Sequence, residues 1–225
     1  MIGGMRSEGP RRASPLKWAA SGGVAFVVFY SAHRLLQGAG PDGTGPTAVG
    51  EWVDAQRGAL LASEIMLGVA LLTFLVFAAP LVGFLHSEVG TVAAAGFAVA
   101  GGVFIAMGLV SNAVETALFA TSTTDLVAIE VLDSLQRRIP NVLAAAILAG
   151  ALAPGFLRGA LLWRWVGYAN IAAAALFFVG YVFNTVGSTP ESGGSVFGVA
   201  IFVIWMALVC VALWVTGLRD DRRYS

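Results

Sequence analysis

Charge is what this chain has least of. Asp, Glu, Lys and Arg make up 12% of its 225 residues, about half the share found in an ordinary soluble domain. That scarcity excludes a soluble globular protein. The formal net charge is zero and no basic patch with interleaved aromatics occurs, which excludes a nucleic-acid surface. Cys210 is the only cysteine, so neither an intrachain disulfide nor a cysteine-based metal site can form. It sits in an apolar run and reads as a small buried hydrophobe. His33 and His86 are the only histidines, and no HExxH or paired-carboxylate helix motif is present. Lys17 is the only lysine among thirteen basic residues; with abundant Ala, Gly and Val, that bias is the kind found in GC-rich bacterial genomes.

What is present is apolar. Hydrophobic residues reach 58% and the mean hydropathy is +0.82, the composition of a polytopic membrane protein. Six runs are expected to cross the bilayer as helices, at about 16–37, 58–86, 90–120, 141–157, 161–186 and 195–218. Between the first two lie Gly38, Gly40, Pro41, Gly43, Gly45 and Pro46, turn and breaker residues throughout. Pro80 is expected to kink the second span, Pro140 to start the fourth, and Gly193-Gly194 to turn into the sixth. Residues 121–140 are more polar. Leu126, Ile129, Leu132 and Leu135 recur at helical spacing opposite Asp125, Glu130, Asp133 and Arg137, a pattern too charged to span and suited to an interfacial amphipathic helix. The fold class is therefore all-α: one transmembrane domain over 16–218, six spans and one interfacial helix. A disordered cytoplasmic tail is expected over 1–15 and a cytoplasmic tail over 219–225. No inverted internal repeat is recognisable.

Basic residues orient the chain. With the N-terminus cytoplasmic, the inner side holds Arg6, Arg11, Arg12, Lys17, Arg158, Arg164, Arg219, Arg222 and Arg223, nine of the thirteen. Arg34, Arg57, Arg137 and Arg138 fall toward the outside. Both termini are thus expected in the cytoplasm and the protein in the cytoplasmic membrane. Trp18, Trp163, Trp165 and Trp214 fall at the inner helix ends, as an aromatic belt would. Arg11-Arg12 ahead of an apolar run invites a twin-arginine or signal-peptide reading. Ser14 and Pro15 stand where that motif wants hydrophobic residues, however, and Tyr30-Ser31-Ala32 is a weak cleavage site, so a retained first span is expected.

The third span organises the rest. Ala94, Gly101, Gly108 and Glu115 are spaced in sevens and drift only about 20° per heptad around a helix. A small-residue stripe ending in an ionisable group faces other helices rather than lipid. Gly96 and Gly102 are read as packing surface with it. Once the spans are given directions, most other polar residues also fall in the outer half. The first span ends with Tyr30, His33, Arg34 and Gln37. The second carries Glu64, the third Ser111, Asn112, Glu115 and Thr116. The fourth begins at Asn141, and the fifth displays Asn170, Phe177 and Asn184 with Tyr181 near that face. An ionised group at mid-span costs about 2.5–3.5 kcal/mol on insertion scales, so the two carboxylates need partners.

The candidate ligand-binding cluster is His33, Arg34, Glu64, Asn112, Glu115, Tyr181 and Asn184. Glu115 is expected to face Arg34, with Glu64 as the second carboxylate. One arginine neutralises only one carboxylate, so the other takes a proton, a cation, His33 or water. Two functions follow. In one, an outward-facing polar cavity binds a small molecule, an ion or a proton, as in a transporter-like or sensory component. In the other, a structural or partner-binding subunit uses the cluster to lock its bundle. His33, Glu64 and Glu115 have donor types that divalent metals accept. Without a second histidine beside them the expectation is no metal, no cofactor and no catalytic residue. His86 belongs to the opposite membrane face, which also excludes a haem held between the two histidines.

Asn112-Ala113-Val114-Glu115-Thr116-Ala117-Leu118 resembles the Arg-x-x-Glu-Ala-x-Leu stretch of a family of bacterial six-helix membrane proteins, common in actinobacteria and catalogued as a domain of unknown function. Leu162-Trp163-Arg164-Trp165-Val166-Gly167-Tyr168 is similar to that family's Pro-Arg-Trp-Leu-Gly-Trp opening of the fifth helix. The resemblance covers the span order over about 16–218 and implies a six-helix fold, but no activity. Asn112 stands where the family has Arg, so an ion pair built on that Arg does not carry over, and Arg34 is expected to substitute.

The nine-to-four division of basic residues predicts that cysteines placed singly at Ser14 and Thr44, in a chain with Cys210→Ser, react with impermeant thiol reagents from opposite sides of intact cells. Labelling of both from outside would overturn the orientation.

Overall fold

The computed structural model describes residues 14–43, 45–158, 161, 163–186 and 193–223, with backbone alone for 184–186, 193–197 and 220–223. Most of the expected disordered tail therefore lies outside the described residues. All regular structure in the rest is helical: α1 Pro15–Gln37, α2 Pro46–Glu88, α3 Thr91–Ala120, α4 Leu126–Arg138, α5 Asn141–Leu157, α6 Arg164–Val186 and α7 Gly193–Arg223. Among the described residues six helical stretches are long and apolar enough to cross a membrane: α1, α2, α3, the run Leu126–Leu157 through α4 and α5, and the apolar parts of α6 and α7. The protein is a multi-pass membrane protein, with six spans among the described residues.

Alternate connections bring the helix ends together at two poles. At the terminal pole, a Cβ on Gly217 of α7 would stand 3.2 Å from Ser14 Oγ at the start of α1. There the Arg158 guanidinium also donates to the Val89 carbonyl, 3.1 Å, tying the end of α5 to the α2–α3 turn. That turn needs Gly90, whose φ of +118° is costly for any side chain. The opposite pole carries α4 and the α1–α2 connection. Along the bundle α1 packs on α2 and α7, α3 on α2 and α5, and α6 on α5 and α7.

Two elements differ from their expected bounds for physical reasons. The second helix begins at Pro46, twelve residues before the expected 58, because Glu51, Asp54 and Gln56 lie on its exposed side while Val49 and Val53 are buried. At 43 residues and about 1.5 Å per residue, α2 is about twice as long as a bilayer core of about 30 Å requires. Its extra turns build a second small core at the α4 pole, with Val49, Val53 and Leu60 against Leu118, Phe119 and Ile129. Arg57 locks this projection by donating to the Phe119 and Thr121 carbonyls at 2.7 and 3.1 Å, groups that the C-terminus of α3 leaves open. In the other direction, α6 begins at Arg164 rather than 161, after Trp163 at φ +69°. Gly193-Gly194 is already helical, and α7 runs on through Arg223 rather than ending at 218.

The interfacial segment forms α4, capped by Asp125, whose Oδ1 accepts from the Ala128 amide at 3.0 Å. Of its expected stripe, Ile129 is buried and Leu132 half-buried, while Leu126 and Leu135 are exposed. The small-residue stripe of α3 behaves unevenly too. Ala94 and Gly101 are buried, and a Cβ on Gly108 would press on Leu71 of α2 at 2.7 Å. Gly96 and Gly102 have open space beside them and are not packing positions.

At Gly22 α1 lies directly on the α2 backbone: a Cβ there would stand 2.5 Å from the Phe77 backbone nitrogen. Backbone cannot swing aside as a side chain does. Gly22→Ala should therefore lower stability by about 1–3 kcal/mol, while Gly68→Ala, which meets nothing within 4 Å, should be neutral or slightly stabilising through helix propensity. Thermal unfolding of the purified variants in nanodiscs compares them; equal melting points would mean that α1 and α2 are not in this register.

Candidate functional site

Three helices each deliver one titratable group to a single buried point at the α4 pole. His33, Glu64 and Glu115, on α1, α2 and α3, are 2%, 5% and 7% exposed. A nitrogen of His33 and a carboxylate oxygen from each glutamate lie within 4.8 Å of one another. Helical spacing explains the convergence. His33 and Gln37 are four apart at the end of α1, and Ser111 and Glu115 are four apart near the end of α3. Each pair therefore shares a face.

Neutral donors hold the carboxylates. Gln37 Nε2 lies between them, donating to Glu115 Oε2 at 2.6 Å and reaching Glu64 Oε1 at 3.4 Å. Asn112 Nδ2 donates to Glu64 Oε2 at 3.0 Å and to the Glu64 carbonyl at 2.8 Å. Ser63 Oγ is 3.2 Å from Glu64 Oε1. Glu115 Oε1 accepts from Ser111 Oγ at 3.3 Å and from Gln136 of α4. Ser111 Oγ in turn accepts from Gln136 Nε2 at 2.9 Å and from Asn141 Nδ2, at the start of α5, at 3.1 Å. His33 Nδ1 donates to the Ser63 carbonyl at 3.0 Å and lies 3.7 Å from Glu64 Oε1.

Arg34 does not fill the role expected of it. Its Nη1 donates to Gln37 Oε1 at 2.7 Å, and among the described residues it forms no ion pair with Glu64 or Glu115. Its hydrogen-bonded link to the carboxylates is the Gln37 amide, whose oxygen it holds while Nε2 donates to Glu115. The reason is its position: one residue past His33, Arg34 is turned about 100° away from the face that His33 and Gln37 share. It is only half-buried.

Of the other expected members, Asn112 joins the cluster. Tyr181 stands half-buried on α6, whose principal neighbours are α5 and α7 rather than the three cluster helices. The Asn184 side chain lies outside the described residues. Asn170, fully buried, accepts from Trp205 Nε1 at 2.6 Å, a separate link between α6 and α7. His86 is exposed toward the terminal pole. Sequence reasoning missed Ser63 and Gln136, and placed Gln37, Ser111 and Asn141 at the level of the cluster without making them members of it. A signal for Gln136 was present, because it lies seven residues after buried Ile129 and so on the same face of α4.

Below the cluster, toward the terminal pole, aromatic rings close the bundle. The Tyr30 ring is 6.0 Å from that of His33, 5.6 Å from Phe26 and 5.4 Å from Phe202. Phe104 contacts Phe26, Phe74 and Phe202 at 6.0, 4.9 and 5.7 Å. The cluster thus has an aromatic floor and, in α4, a roof whose polar latch is Gln136. Two hollows among the described residues are apolar grooves along the helices, one lined by Ala20, Cys210 and Trp214 and the other by Ile65, Leu72 and Leu109; neither includes a cluster residue.

Fold and site together define a six-span membrane protein with a buried His–Glu–Glu cluster near one end of its bundle. No family model, curated protein or solved structure matches the chain, so the chemistry of this site rests on its own geometry.

If Gln136 latches α4 onto α3, Gln136→Ala should remove hydrogen bonds to a carboxylate and a hydroxyl worth about 1.5 kcal/mol or more. Amide hydrogen exchange across α4 should then accelerate roughly tenfold, with α5 and α7 unchanged. Glu130→Ala, on the exposed side of α4, is the control. Equal exchange in both variants would mean that α4 is held by Ile129 packing alone.

Proposed function

We propose that this protein binds a small cation, an ion or a proton, at the Glu64–Glu115 pair. The site opens to the external aqueous phase past α4, and the protein acts as a transporter-like or sensory component of the cytoplasmic membrane with both termini inside. One observation carries this reading: two carboxylates buried within the bundle are contacted by neutral donors. Arg34 is spent on an amide, and the His33 imidazole gives its Nδ1 proton to a backbone carbonyl. Keeping two such groups ionised would cost roughly twice the 2.5–3.5 kcal/mol of a single buried ion, comparable with the whole net stability of many domains. A bound cation removes that cost. The Tyr30–Phe104–Phe202 floor supports access from the α4 pole alone, which suits binding or sensing better than free conduction. The family resemblance would supply a fold and no activity, and so adds nothing to this reading.

A structural or partner-binding subunit is the second reading, favoured by the completeness of the network. All four carboxylate oxygens of Glu64 and Glu115 have a donor within 3.4 Å. Thermal unfolding in nanodiscs separates the two, with protons and monovalent, alkaline-earth and transition-metal cations varied in turn. Binding should stabilise wild type by about 2.7 kcal/mol at a hundredfold excess over Kd, a rise of several degrees. Glu64→Gln and Glu115→Gln should fold and lose that response. No response of wild type to any cation, with Glu115→Gln merely less stable, would establish the structural reading.

A further inference from the structure

We infer that the cation is a divalent transition-metal ion, ligated by His33, Glu64 and Glu115; this deepens the cation-binding reading and rests on it. Charge comes first. Two carboxylates and a neutral imidazole carry two negative charges, and one divalent ion cancels both, where a single proton or alkali ion leaves one uncompensated in a low-dielectric bundle. Donor type comes second. One imidazole nitrogen and two carboxylate oxygens are borderline and hard ligands without sulfur, a set suited to Zn²⁺, Mn²⁺ or Fe²⁺ rather than Cu⁺. Mg²⁺ and Ca²⁺ prefer all-oxygen shells.

Geometry comes third. Ligands at about 2.0–2.2 Å from a tetrahedral ion stand roughly 3.4 Å apart. The three donor atoms already lie within 4.8 Å of one another, although each comes from a different helix. The remaining ångström or so is within reach of glutamate side-chain rotation, with no movement of backbone. Gln37 Nε2 meanwhile lies between the two carboxylates, 2.6 and 3.4 Å from their oxygens, where a cation bridging them would sit. The Gln37 amide acts as a neutral place-holder at the last residue of α1, its side chain able to swing aside. The His33 nitrogen that faces Glu64 is Nδ1, 3.7 Å from Oε1; ligation through it exchanges its hydrogen bond to the Ser63 carbonyl, 3.0 Å, for the metal and leaves the ring proton on Nε2. Three protein ligands leave at least one coordination position open, for water or a carried ligand.

The test is calorimetric titration of the full chain in nanodiscs, freed of any affinity tag and stripped with chelator, with Zn²⁺ and Mn²⁺ and in parallel with Mg²⁺, Ca²⁺, Na⁺ and K⁺. One transition-metal ion per chain is expected. Affinity should fall in His33→Ala, Glu64→Gln and Glu115→Gln by more than the roughly 10–100-fold that an outer-shell partner is worth. Should those variants fail to fold, Gln37→Ala decides the matter, because removing the place-holder should tighten metal binding whereas a purely structural amide would only destabilise. Binding of Na⁺, K⁺, Mg²⁺ or Ca²⁺ but not Zn²⁺ or Mn²⁺, or a response to pH alone, overturns the metal and leaves the cation reading standing. No response to any cation overturns both.

Discussion

A carboxylate inside a helix bundle must collect its hydrogen bonds from neighbouring side chains, since no water surrounds it, and Glu115 collects them from three helices. Gln37 reaches it from α1, Ser111 from its own helix and Gln136 from α4. Glu64 is joined to the same network through Gln37 and Asn112. The first three spans and the interfacial helix are therefore registered against one another around a single polar point. Apolar contacts alone register such helices weakly, because lipid offers nearly the same contacts as a neighbouring helix.

The remaining packing accommodates that point. Gly108 lets Leu71 of α2 lie close against α3 within two turns of Glu115, and Gly22 lets α1 lie on the backbone of α2 at Phe77. The aromatic rings at Phe26, Tyr30, Phe74, Phe104 and Phe202 fill the level below, where small residues would leave voids. Above the cluster, α2 and α3 extend past the last apolar turn and pair Val49 and Val53 with Phe119 and Ile129. This second core holds α4 in place, and α4 in turn presents Gln136 to the carboxylate. A polar site is thus enclosed from below by aromatic bulk and from above by the amphipathic α4.

Chemically, the enclosure sets a narrow menu. The groups around the carboxylates are side-chain amides and serine hydroxyls, which stabilise negative charge without cancelling it. Arg34 is near enough to polarise Gln37 but is not a partner of either glutamate. A cluster built in this way has room in its charge balance for a cation, and the Gln37 amide marks the place.

How much of this was legible beforehand follows from the range of the forces involved. Span number and order follow from composition and length, since a bilayer demands about twenty apolar residues per crossing, and α1, α3 and α5 lie within a residue of their expected bounds. The amphipathic nature of α4 followed from its own periodicity. Glu64 and Glu115 stood out because buried charge is rare, and their depth in each helix was countable along the chain. The early start of α2 was hidden, because Glu51, Asp54 and Arg57 look like a loop until a partner covers Val49 and Val53. The partner of Glu115 was hidden for a related reason. Helical depth says which residues share a level, but only the rotation of each helix about its axis says which of them touch. That rotation is set between helices, by contacts such as Gly22 on Phe77 and Gly108 on Leu71. It turned Arg34 aside, brought His33 and Gln37 in, and placed Gln136 over the carboxylate.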